Sequence, residues 1–273
     1  MKILGIDFTS SSKKRKPITC AHCLLDGGTL RFSKMEEWSE FEGFENALRR
    51  PGPWIAGIDF PFGQADRFIK NIGWPQDWAG YVRHARGLGK EGFCNALNEY
   101  RKSRPKRDKE HLRRTDKPAG SVSPQKLYFV PVGQMFFAGA PHLLDARVSV
   151  PGLLRGNPKR VVVEAYPGVL ARSVIGKKSY KHDTKKKQTG EQHQARLGIL
   201  NALRNGAARE HYEFDLDAPD CLCEDPGGDH LDALLCAIQA AWAWKNKENG
   251  HGMPKHCGNE GWIADPHCVH IDS

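Results

Sequence analysis

Three short apolar runs that each end in an acid constrain this chain most. They are Ile3-Leu4-Gly5-Ile6-Asp7, Trp54-Ile55-Ala56-Gly57-Ile58-Asp59 and Val161-Val162-Val163-Glu164. Runs this short, with no polar alternation, read as strands covered on both faces. A strand over 18–25, the turn Asp26-Gly27-Gly28 and a return over 29–33 predict a hairpin. Trp38, Phe41, Phe44, Ala47 and Leu48 recur at helical spacing. They predict a helix over 36–49, stopped by Pro51-Gly52-Pro53. Leu231, Leu234, Leu235, Ile238 and Trp242 mark a second helix over 229–244. A hairpin followed by strand–helix alternation predicts an α/β protein with a mixed sheet flanked by helices.

The acids carry the functional signal. In open α/β sheets, ligands bind outside the carboxyl ends of the strands. Asp7, Asp59 and Glu164 each close a strand there, and Asp229 and Asp232 share one helical face three residues apart. Any one of them could simply cap a helix. Gathered together they would repel one another, and would either take up protons or bind a cation. Oxygen-only donors favour Mg²⁺ or Mn²⁺. Such ions in pairs serve phosphodiester cleavage. The expected catalytic acids are therefore Asp7, Asp59, Asp229, Asp232 and Glu164, with Asp7, Asp59, Asp229 and Asp232 as metal ligands.

Charge points to the same partner. The chain has 273 residues and a net charge of +9, yet the segments 101–120 and 172–187 alone carry more positive charge than that. Concentrated basicity suits a phosphate backbone. Arg113, Arg114 and Lys126 are expected to contact phosphates, with Thr9 beside the first acid as a further substrate contact; the plain alternative is a solvated basic loop. Within the same segment, 127–137 is apolar and predicted to pack on the core. The run Lys185-Lys186-Lys187 reads as exposed surface, Lys13-Lys14-Arg15-Lys16 as an inter-strand loop, His230 as a flanking residue, and Trp74 and Trp78 as a packing face.

An apolar content of 39% excludes a disordered chain. The longest clean apolar stretch, 234–244, is too short for a membrane-spanning helix. The opening MKILGIDFTS reads as a strand and not a secretion signal, because Asp7 interrupts it. A cytoplasmic setting with eight reduced cysteines is expected. Two groups have some zinc character: Cys20 with Cys23, and Cys257 with His267, Cys268 and His270. Cys20 and Cys23 fall in a strand, where residues three apart face opposite ways, so thiols are the simpler reading.

Gly5-Ile6-Asp7-Phe8-Thr9, Gly57-Ile58-Asp59-Phe60-Pro61-Phe62-Gly63, Glu164-Ala165-Tyr166-Pro167-Gly168, Asp229-His230-Leu231-Asp232-Ala233 and Glu260-Gly261-Trp262-Ile263 together resemble a bacterial domain-of-unknown-function family of predicted RNase H-like nucleases. The resemblance spans nearly the whole chain. It implies one ribonuclease H-like domain over 1–273, with a mixed five-stranded sheet and helices on both sides. It also implies that acids on the first strand, the fourth strand and a late helix match Asp7, Asp59, Asp229 and Asp232. Residues 62–160 would then form a long basic insertion between the fourth and fifth strands, a lobe over the site. A metal-dependent nuclease acting on nucleic acid is the leading expectation. An actin-like or sugar-kinase-type phosphotransferase shares the core fold, but Phe8 stands where glycine would let backbone approach phosphate. A silent nucleic-acid-binding module would lack a reason for the acids. The kind of nucleic acid and the oligomeric state are not legible.

Overall fold

The computed structural model describes residues 1–182, 184–255 and 257–269. The first strand, β1 (Lys2–Asp7), is antiparallel to β2 (Ile18–Asp26), which turns back into β3 (Thr29–Trp38). Gly27 and Gly28 make that turn, both at positive φ (54° and 81°), the geometry two-residue hairpins need. Next come α1 (Phe41–Arg49) and β4 (Trp54–Ile58), then α2 (Asp66–Ile72), α3 (Trp78–Gly87), α4 (Gly89–Ser103), α5 (Asp116–Ala119) and α6 (Val132–Ala146). The chain continues through β5 (Val148–Ser149), β6 (Asn157–Glu164), α7 (Pro167–Ile175), α8 (Gly190–Ala202), α9 (Ala208–Tyr212), β7 (Asp215–Asp217) and α10 (Asp229–Lys245).

The sheet order is β5-β6-β4-β1-β2-β3-β7, with only the β1–β2 and β2–β3 pairs antiparallel. It has seven strands and not the five expected. The additions are edge strands of two and three residues, β5 and β7, too short to show any period in sequence. β3 also runs on to Trp38, so α1 starts at Phe41 and not near residue 36. Glu36 is held in the sheet by Arg50, at 2.7 and 2.9 Å, and by His22 at 2.7 Å. The cross-strand bond from His22 and the pairing with Arg50 outweigh the helical spacing of the apolar residues around it.

The apolar strands are buried on both faces, as their patterning predicts. Ile6, Ile58 and Val162 join Phe68, Trp78, Phe93 and Phe136 in one core. Ile3, Ile55 and Val163 join Leu170, Ile199, Leu234 and Ile238 in the other. Residues 62–160 therefore supply most of one helical layer of the same core. Trp74 and Trp78 are buried within that layer. Cys20 belongs to the first core and Cys23 to the second, so they face apart. All eight cysteines are free thiols. His270, one of the residues with zinc character, lies outside the described residues. No helix among the described residues is long and apolar enough to cross a membrane.

Candidate functional site

The tetrapeptide Gly-Ile-Asp-Phe occurs twice, and the structure shows why. Gly5 and Gly57 are register partners on the parallel strands β1 and β4. Helix α10 lies directly on them: a Cβ on Gly5 would stand 1.9 Å from the Ala233 carbonyl, and one on Gly57 2.3 Å from the Cys236 carbonyl. Only glycine permits that approach. Two residues on, strand alternation turns Asp7 and Asp59 to the same side. Phe8 and Phe60 point the other way and meet at 4.8 Å between ring centroids. The Phe8 side chain is thus core.

The close seating of α10 brings its first turn to the strand ends. The Thr19 hydroxyl, opposite Asp7 in the β1–β2 register, donates to the Asp229 carbonyl at 3.0 Å. Asp225 accepts from the backbone amides of Gly227 and Asp229, at 3.0 and 2.7 Å, and fixes the helix start. Asp7, Asp59, Asp229, Asp232 and Glu164 all line one cavity of about 570 Å³, together with Thr9, Lys16, Arg113, Lys126 and Lys181.

The acids affect one another's ionisation. Burial pushes Asp7 well above the usual carboxylate range, and Asp229, Asp232 and Asp59 add to the effect. Burial likewise pushes Asp59 up to about 7, with Asp232 and Glu164 contributing. Asp229 is raised by burial and then by Asp225 and Asp232. Lys181 opposes all three shifts. Its ammonium contacts one oxygen of the fully buried Asp232, and the Tyr180 hydroxyl donates to the other at 2.7 Å. Burial alone would lower Lys181; Asp232, Tyr180 and Asp7 hold it well above its ordinary value. The chain therefore places one of its own cations among four crowded carboxylates. Among the described residues, no three His, Cys, Asp or Glu side chains are arranged as a group that could hold a metal ion. Asp7, Asp59 and Asp229 offer only oxygen donors, the ligand type that hard divalent ions take, while Asp232 is already engaged by Lys181 and Tyr180.

Three expected site residues are engaged in ion pairs. Glu164 accepts from Arg113 at 2.6 and 2.8 Å and from the Phe62 amide at 2.9 Å. Arg113 in turn holds Asp116 at 2.9 Å and the Glu260 carbonyl at 3.1 Å. The carboxylate and guanidinium expected to serve catalysis and phosphate binding satisfy each other, and pin residues 113–116 to the end of β6. Arg114 turns toward Glu260 and Asp66, at 3.5 and 4.0 Å, and is not part of the cavity wall. Lys126 and Thr9 do stand on that wall. Glu260 accepts from the amides of Asp66 and Arg114, and Ile263 bridges to Glu164, so the 260–263 motif closes the fold behind the site. His230 flanks the site and pairs with Glu37 at 2.7 Å.

Sequence reasoning missed Lys181 and Tyr180. They sit in the basic segment 172–187, and nothing in their local pattern sets Lys181 apart from Lys177 or Lys178. Comparison with curated proteins and with solved structures finds no match. A family model described as a protein of unknown function, DUF429, matches residues 5–256, and the chain belongs to that family.

Proposed function

We propose that this protein is a metal-dependent nuclease with a ribonuclease H-like core. The observation that carries the reading is the meeting of Asp7, Asp59, Asp229 and Asp232, from two parallel strands and one helix, on the floor of a cavity with a basic wall. The five long strands, in the order β6-β4-β1-β2-β3 with β2 antiparallel, agree with the mixed five-stranded sheet of that fold. Mg²⁺ or Mn²⁺ held there would activate water and stabilise the leaving oxygen of a phosphodiester. The residues themselves do the rest. Asp7 and Asp59 offer carboxylates whose ionisation is costly until a cation arrives. Lys126 and Lys16 offset the repulsion between an acidic floor and a polyanion.

The direct test is cleavage of labelled single-stranded DNA, duplex DNA, RNA, RNA–DNA hybrid and a four-way junction, each with Mg²⁺, Mn²⁺ or EDTA. Cutting that depends on the metal is expected for at least one substrate. Failure to cut any of them with either ion would overturn the reading.

Lys181 gives a second, independent check. Its ammonium already supplies positive charge at Asp232, so an incoming divalent ion competes with it. Lys181→Met should tighten Mn²⁺ binding by roughly tenfold, since a unit charge within a few ångströms is worth on the order of kcal/mol at a partly solvated site. Isothermal titration calorimetry of the intact chain reads this without turnover. Unchanged or weaker binding would show that Lys181 does not compete with the metal.

A further inference from the structure

The apolar stretch 127–137 is expected to pack on the core, and Leu127, Met135, Phe136 and Phe137 do, but 128–130 do not. Tyr128, Phe129 and Val130 are exposed, Phe129 to 93% of its surface. A single exposed side chain needs no explanation, but this group stands on the wall of the acid-floored cavity, where Phe129, Val130 and Val122 line the same space as Lys126. The Lys126 ammonium is 5.3 Å from the Tyr128 ring centre and 5.9 Å from that of Phe129. The Arg101 guanidinium lies 4.5 Å over the Tyr128 ring. Phe129 also has φ of 57°, a region that bulky side chains rarely adopt. The loop thus holds an aromatic ring in water, against both its hydrophobic and its backbone preference, beside a cation and in the cavity that the carboxylates also line.

A ligand that satisfies this wall has a flat apolar face and an anionic group close to it. A nucleotide unit has both, and its base offers a free face only when unstacked from a duplex. Building on the nuclease reading, we propose that Phe129 stacks an unpaired base and Lys126 meets the adjoining phosphate, so that the cavity takes single-stranded nucleic acid. Tyr128 and Arg101 buttress the loop from the side.

The experiment measures fluorescence anisotropy of labelled single-stranded DNA, single-stranded RNA of the same sequence, and the DNA duplex, with Ca²⁺ replacing the catalytic ion. The intact chain is compared with Phe129→Ala and Phe129→Trp, beside wild-type cleavage in Mn²⁺. The ring is exposed, so both variants keep the core. Single strands should bind more tightly than duplex. Phe129→Ala should weaken single-strand binding roughly tenfold and leave duplex binding unchanged, and Phe129→Trp should restore it. The DNA and RNA arms identify which polymer supplies the base. Single-strand binding by Phe129→Ala equal to wild type, or no wild-type preference over duplex, overturns the proposal. Such a result with cutting retained removes the stacking wall and leaves the nuclease. Phe129-dependent binding without cutting supports the wall and removes the nuclease.

Discussion

Asp7→Asn should reduce metal-dependent cleavage by at least about 100-fold, because even the residues that support metal ligands are typically worth 10–100-fold. It should do so without harming the fold. Asp7 is buried, and its ionisation is opposed by burial and by Asp229, Asp232 and Asp59. A neutral amide of the same shape removes that cost. The sign of the pH dependence follows from the raised native pKa. An unfolded Asp releases its proton near pH 4. The native Asp7 keeps its proton above that, so the native state binds more protons and its stability falls as pH rises toward the native pKa. The variant lacks this loss. In EDTA, its thermal midpoint should therefore gain on that of the wild type as pH is raised from about 4. The measurement is a pair of melting series with a cleavage assay at each pH. A variant that melts earlier than wild type at neutral pH would show that Asp7 is a structural acceptor. Full retained cleavage would remove Asp7 from the mechanism.

Arg113→Met should cost about 3–5 kcal/mol of stability, the usual penalty for removing one partner of a buried ion pair. The guanidinium is 2% exposed, and its partners Glu164 and Asp116 are 3% and 0% exposed. Removing it strands two carboxylates. For a chain of this size the melting midpoint should drop by roughly 10 °C. Glu164→Gln is the informative companion. It too should destabilise, yet keep metal-dependent cleavage per folded molecule, because both carboxylate oxygens of Glu164 already accept hydrogen bonds from Arg113 and the Phe62 amide. Urea unfolding with activity measured on the folded fraction separates the two effects. Cleavage lost at full stability would return Glu164 to the catalytic acids.

The sequence by itself determined the five long strands, the final helix and the placing of acids at their ends. The reason is local: a run such as Ile3 to Ile6, buried on both faces, has no other stable use, and an acid at its end must face the loop edge. The repeated Gly-Ile-Asp-Phe is visible in the sequence, but only the folded chain shows that its two glycines seat α10. Tertiary structure alone decided what each charge does. Glu164 and Arg113 are 51 residues apart in the chain, and only the fold shows that they neutralise each other. Lys181 enters the acid cluster because the segment after α7 passes over the strand ends, a path no local pattern encodes. Phe129 belongs to an apolar stretch, but its position on the cavity wall depends on how residues 113–131 are tied down. Burial and backbone pairing follow from short-range pattern; the balance of charge in a site is set by long-range contacts, and so it becomes visible only when the chain is folded.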